Sequence, residues 1–371
     1  MIQAATRPPF RADHVGSLLR PAELKDAREK AKRGDLDPKK LRAVEDKCIR
    51  DVVKFQESVG LQSITDGEFR RDWWHIDFLR GFGGVETVAG TTFGVRFQGS
   101  DEQPPLMRVV SKIRRTKPNM LDHFKFLKSI TKRTPKFCMP SPAMLHARGD
   151  RDALKKTYPD LNEFWADLTK AYREEIADLY QAGCRYLQID DTTIAMMGDP
   201  KVQETFRKLG DEPKKDTAMY AEAVNAAIRD VPDDMTVAVH TCRGNFMSTW
   251  LASGSYDYVA EIAFTKLRAD AFFLEYDTDR AGGFEPLRYI PKGKRVVLGL
   301  ISSKLPELEK KDDLKRRIDA AAKFVPLENL CLSPQCGLHL GRLQELNHVT
   351  IEPADQRGRG TRGSKHAYPL L

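Results

Sequence analysis

His240 and Cys242 stand one residue apart where the apolar run TVAVH ends. On an extended chain, side chains two apart face the same way. Two more potential ligands occupy similar positions: Glu275 closes the run AFFLE, and Cys336 lies in SPQCG, just after NLCL. Two thiolates, one imidazole and one carboxylate around a single ion describe zinc. Each residue alone has a plainer reading. A lone histidine is commonly a hydrogen-bonded core residue, and a cysteine in a turn is a small buried hydrophobe. Glu275 is the most informative, because an isolated acid at the end of an apolar strand is costly to bury without a partner. A metal would be such a partner; so would an arginine. A catalytic zinc keeps one position for substrate. Among four candidates one must therefore be displaceable, and the hard oxygen of Glu275 is the least suited to a thiolate-rich ion.

A second set of acids follows other strand-like runs. Glu68 lies in TDGEF after LQSIT, and Asp190 and Asp191 follow CRYLQI. A carboxylate pair there could hold a substrate ammonium group, whereas the plainer role for either aspartate is a helix N-cap. Trp73, Trp74 and His75 come shortly after Glu68 and could wall such a pocket.

The elements that must position these residues form a repeating alternation. Leu41, Val44, Cys48, Val52 and Phe55 recur at helical spacing over 38–58. Leu161, Phe164, Trp165, Leu168, Tyr172, Ile176 and Leu179 mark one face of a long helix ended by Gly183. Further helices are expected over 121–132, 216–230, 259–267 and 306–324. Strands are expected in the stretch that ends at 14–17 and at 61–65, 136–139, 184–189, 236–240, 271–275, 295–300 and 329–332. Eight strands alternating with helices imply a parallel sheet closed into a (β/α)8 TIM barrel, with its chemistry at the strands' carboxyl ends. The glycine-punctuated stretch within 80–113 reads as an inserted hairpin. Residues 1–345 are expected to form the single catalytic domain. A short helix near 340–346 and an atypical, disordered tail over 346–371 are expected to follow, leaving a gap that a second subunit could cover.

Bulk properties narrow the class. With 371 residues, 41% of them hydrophobic, the chain can build a sizeable core. Its net charge of +8 is diffuse and mixed in sign, which argues against nucleic acid. The six cysteines lack a scaffold spacing and read as reduced thiols. No apolar run reaches membrane-spanning length and the start lacks a secretory pattern, so a cytoplasmic location is expected.

Taken in order, HVGSLLRP, TDGEF, LQID, HTC, the acid ending AFFLE, and SPQCG resemble the catalytic C-terminal barrel of cobalamin-independent methionine synthase and its shorter single-domain relatives. The resemblance implies a zinc-bound homocysteine sulfur that takes a methyl group, giving methionine. It implies His240, Cys242, Glu275 and Cys336 as zinc ligands, and Val15, Gly16 and Ser17 as the segment contacting the amino acid. Glu68 and Asp190 then hold the ammonium group, as candidate catalytic and substrate-binding residues. There are departures. The family's folate-stacking tryptophan falls at Pro140 beside Ser141, and its proton-donating histidine falls near Ile301 and Ser302. A methyl donor other than folate is therefore open. So is alkyl transfer to another thiol, as from an epoxide to coenzyme M, or a barrel like uroporphyrinogen decarboxylase.

Overall fold

The structure, a computed structural model, describes residues 7–89, 104–245, 249–304 and 307–336. Its strands in chain order are β1 (Ser63–Ile64), β2 (Gly83–Val88), β3 (Leu106–Arg114), β4 (Thr134–Pro135), β5 (Phe137–Pro140), β6 (Tyr186–Asp190), β7 (Thr236–Thr241), β8 (Ala271–Glu275), β9 (Arg295–Ile301) and β10 (Leu330–Pro334). Strands β5 to β10 form one parallel sheet in sequential order, and β1 pairs in parallel with β4 just ahead of β5. The ring closes where Ala12 bridges Leu332: Asp13 N donates to Leu332 O at 3.0 Å and Leu332 N to Arg11 O at 2.8 Å. This is the (β/α)8 barrel expected from the alternation.

The strands are apolar throughout because helices cover their outer faces. Helices Pro38–Ser58, Leu121–Ile130, Leu161–Gln181, Pro213–Ile228, Ala260–Lys266 and Lys311–Ala321 lie within a few residues of the periodicity-based spans. The helix Ala22–Lys32 and five short ones, Ile76–Leu79, Ala143–Arg148, Arg151–Thr157, Thr192–Met196 and Pro200–Lys208, are not among the expected helices. None is long enough to show a decisive period, except Ala22–Lys32, whose charge-rich sequence buries only Leu24 and Ala27. The inserted hairpin is β2 paired antiparallel with β3. It is fastened to the barrel where Ile113 N donates to Tyr158 OH at 2.6 Å and Thr157 Oγ1 to Val109 O at 3.0 Å. The expected short helix near 340–346 and tail over 346–371 lie outside the described residues. Among the described residues, no helix is long and apolar enough to cross a membrane.

The barrel interior is not wholly apolar. Asp13 and Lys136 form an ion pair at 3.2 Å with both side chains fully buried. Asp13 also accepts from Ser63 Oγ at 2.7 Å and Tyr186 OH at 3.0 Å. Lys136 Nζ donates to His14 O and to Gln188 Oε1, the latter at 3.1 Å. Gln188 Nε2 in turn donates to Val15 O and to Asp190 Oδ1, each at 2.6 Å. Burial and the Lys136 charge push His14 down to about 4, so its ring stays neutral. Removing one member of a buried ion pair strands the other charge. Lys136→Met is expected to lower unfolding stability by ~3–5 kcal/mol, and adding Asp13→Asn to recover part of that loss, both measurable by urea denaturation.

Candidate metal and substrate site

Parallel register sets the site. Asp190 at the end of β6 pairs with Pro140 on one side and with His240 on the other. β7 then carries Thr241 and runs on into Cys242. The carboxyl rim so formed surrounds a cleft that is partly open to solvent. Its walls include Val15, Ser17, Glu68, Asp190, His240, Cys242 and Cys336.

His240, Cys242 and Cys336 bring one ligand atom each to within 4.8 Å of one another. The two sulfurs are 4.0 Å apart. Two thiolates on one tetrahedral zinc, with Zn–S near 2.3 Å, would stand ~3.8 Å apart. Both ring nitrogens of His240 are buried and have no oxygen or nitrogen partner among the described residues; the imidazole faces the Cys242 thiol. Buried polar atoms are rarely left so, and a metal is the kind of partner that fits. Contact with Cys336 and burial push the Cys242 thiol well up from its ordinary value. The Cys336 loop is pinned from behind: Asn245 Nδ2 and Ser303 Oγ both donate to its carbonyl, and Gln335 N donates to Ile301 O at 2.9 Å.

Glu275 stands apart from this group. Its Oε2 accepts from Arg243 N at 2.5 Å, and its carboxylate pairs with Lys304 at 3.2 Å and with Arg280. Burial would raise its pKa, but Lys304, Arg280 and Arg243 hold it below the usual carboxylate range, at about 2. Of the two partners that a buried acid here could have, the fold supplies the arginines, joined by a lysine. Of the four candidate ligands the structure brings three together, and Glu275 lies against these cations instead.

The second acid group does assemble. Oxygens of Glu68 and Asp190 lie with Cys138 Sγ within 4.8 Å. Burial pushes Asp190 up to about 7, with Glu68 adding to the rise and His240 opposing it. Burial also raises Glu68, which Arg71 at 3.3 Å partly offsets. Glu68 has φ 59°, a left-handed conformation unusual for a non-glycine residue. Gly67 precedes it at φ 66°, and its Asp66 neighbour caps the turn through Glu68 N at 2.9 Å. Such strain tends to sit where a side chain must be aimed. Asp191 takes the plainer role weighed for it, as N-cap of Thr192–Met196, accepting from Thr193 N at 2.8 Å and Ile194 N at 3.0 Å.

Val15 and Ser17 face the cleft, and Gly16 between them is needed for close approach. At its φ of 123° a Cβ would stand 2.6 Å from Cys138 Sγ. Trp74 joins the wall; Trp73 packs on the core, and His75 is buried against Trp74, their ring centroids 4.8 Å apart. Arg148, Thr192, Asn245 and Leu251 also line it and were not singled out from sequence. The lone arginine closing the apolar run PAMLHAR just after β5 was the one available signal among them.

The barrel thus carries a His-x-Cys pair, a distant third thiol and two buried acids on one rim. Comparison with known proteins gives its family. Residues 10–349 match the family model described as cobalamin-independent synthase, catalytic domain, and the chain belongs to that family. It is 46% identical over 346 residues to the uncharacterized protein YxjH of Bacillus subtilis, covering 93% of this chain and 90% of that one. It is 26% identical over 332 residues to the methionine synthase of Sulfurisphaera tokodaii, covering 88% and 85%. A Listeria monocytogenes crystal structure assigned to vitamin-B12-independent methionine synthase superposes with TM-score 0.76 at 37% identity, over 93% of this chain and 98% of that one.

Replacing Glu275 would leave the buried Arg243 without its counter-ion, and Arg280 and Lys304 with Asp277 alone. Glu275→Gln is expected to cost ~3–5 kcal/mol of unfolding stability, far above a surface change, in chemical denaturation.

Proposed function

We propose that this protein is a zinc-dependent methyltransferase that moves a methyl group to the thiol of homocysteine, forming methionine. The observation that carries the reading is the convergence of His240, Cys242 and Cys336, with imidazole nitrogens that have no oxygen or nitrogen partner among the described residues, on the cleft that also holds Glu68 and Asp190.

The three side chains would hold the ion and leave its fourth position for substrate. Zinc bound there would supply a Lewis acid that keeps a coordinated thiol deprotonated at neutral pH, where a free thiol near ~8.5 is mostly protonated. The chain's own groups do the rest. Glu68 and Asp190 accept hydrogen bonds from the substrate ammonium and neutralise its charge. Gln188 fixes Asp190 Oδ1 and the Val15 carbonyl at once, so the acid and the Val15–Ser17 segment keep a set spacing. Trp74, Val15 and Leu251 give the cleft an apolar wall that limits water around the sulfur. In the transfer, a sulfur lone pair forms the S–CH3 bond. The bond from methyl to donor breaks and its electron pair stays with the donor: on a folate nitrogen, which takes up a proton, or on a corrinoid cobalt, which passes from Co(III) to Co(I). Paired acids at the ammonium position favour an amino-acid thiol over a sulfonate thiol, which ranks methyl transfer to homocysteine above the coenzyme M reaction. A decarboxylase-like barrel has no use for the His-Cys-Cys group.

The test is methionine production by the purified zinc-loaded protein from homocysteine with methyltetrahydrofolate or methylcobalamin. Product with either supports the reading; none with both sinks it. Cys336→Ser is expected to reduce bound zinc from about one per chain to a small fraction, read by metal analysis. Asp190→Asn is expected to keep its zinc but raise KM for homocysteine ~10- to 100-fold, the weight of a charged hydrogen bond.

A further inference from the structure

We infer that Arg20 is a positioning residue for the substrate: it holds the Glu68 backbone in the conformation that keeps its carboxylate on the cleft, and so ties that acid to the Val15–Ser17 segment. The inference rests on the homocysteine reading, in which Glu68 accepts from the substrate ammonium, and deepens it by naming what sets the geometry of that contact.

Arg20 closes the run HVGSLLR. Val15 and Ser17 of that run line the cleft. The Arg20 side chain reaches instead to the turn over residues 66–71, where Nη2 donates to the Glu68 carbonyl at 3.1 Å and to the Arg71 carbonyl. Two residues earlier, Leu18 N donates to the Gly67 carbonyl at 3.1 Å. The two peptide planes that flank the Glu68 Cα are thereby gripped from one short segment: the Gly67–Glu68 plane by Leu18, and the Glu68–Phe69 plane by Arg20. The relative orientation of these planes is what φ and ψ of Glu68 describe. The turn adds one bond of its own to each plane, from Glu68 N to Asp66 Oδ1 at 2.9 Å and from Arg71 N to Glu68 O at 3.0 Å.

That grip has strain to oppose. Glu68 sits at φ 59°, where a side chain crowds its own carbonyl. Such a conformation persists only where the surroundings over-determine it. Relaxation to negative φ would swing the Glu68 carboxylate away from Asp190. As held, an oxygen of each lies within 4.8 Å of the other, close enough for one ammonium to donate to both. The neighbouring arginines do not duplicate the grip. Arg28 donates to the Phe69 carbonyl but is engaged by Glu45 at 3.1 Å and Asp72 at 2.6 Å. The Arg71 guanidinium lies 3.3 Å from the Glu68 carboxylate and donates to Cys138 O at 2.6 Å, so it touches the acid and not its backbone. Glu68 and Asp72 are the carboxylates within electrostatic reach of Arg20, and Arg28 and Arg71 the cations. The hydrogen bonds of its side chain go to the two turn carbonyls, and a charged donor makes these strong.

Titration calorimetry with L-methionine on the full, zinc-loaded chain tests this through a double-mutant cycle between Arg20 and Glu68. Arg20→Met is expected to keep about one zinc per chain. It is expected to weaken methionine ~10-fold, the order of one hydrogen bond to a charged group. When the chain already carries Glu68→Gln, adding Arg20→Met is expected to cost no more than ~3-fold, because the aim of an uncharged amide matters less. Wild-type affinity in Arg20→Met overturns the inference. So does an equal loss with and without Glu68→Gln, which is the mark of general loosening and not of action through that acid. Arg20→Gln, a milder change, decides by the same two comparisons if Arg20→Met does not fold. Methionine binding that ignores Arg20 leaves the homocysteine reading standing and removes only this role. Failure of the wild type to bind methionine removes both.

Discussion

The charged pair of Asp13 and Lys136, with no solvent beside it, is the constraint on which the rest of the barrel depends. Neither member can remain alone in that interior. Each is therefore surrounded by groups that satisfy its remaining hydrogen-bonding capacity, and those groups come from different strands. Asp13 takes Ser63 from β1 and Tyr186 from β6; Lys136 reaches the His14 carbonyl and Gln188. The network ends on Asp190 and the Val15 carbonyl at the opposite rim. The same contacts that make the interior polar thus fix the height and spacing of the substrate-facing groups.

A second charged cluster does comparable work on the far side. Glu275, at the end of β8, gathers Arg243, Arg280 and Lys304. Arg243 directly follows Cys242, and Tyr256 OH donates to Thr241 O at 2.7 Å while accepting from Glu275 N at 2.9 Å. The loop bearing Cys242 is therefore held by the acid from behind, through its backbone and its arginine. The carboxylate supports the thiolate-bearing loop without joining its ligand group.

Much of this was legible in the sequence. The strands β6 to β10 stand out as apolar runs of the right length, and their ends named His240, Cys242, Asp190 and Cys336 directly. β1 was harder to bound, because its ladder covers two residues and the rest of LQSIT is held by side chains such as Gln56, which bonds both the amide and carbonyl of Thr65. Glu275 shows the limit of spacing arguments. A buried acid at a strand end announces that it has a partner, but Arg280 and Lys304 are on loops whose course no periodicity predicts. Arg148 was overlooked for a related reason: it lies on a helix of six residues, too short for a hydrophobic period to place its side chain.

The segment Val15–Ser17 has few backbone ladder contacts of its own. It is held instead from several directions: Thr65 Oγ1 donates to the Gly16 carbonyl at 2.7 Å, Gln188 and Cys138 Sγ both donate to Val15 O, and Leu18 N donates to Gly67 O at 3.1 Å. A loop tethered at Val15, Gly16 and Leu18 has already surrendered its conformational freedom when the chain folds. A ligand arriving there meets a surface that need not be ordered again, so the entropy of shaping it is charged to folding and subtracts little from affinity.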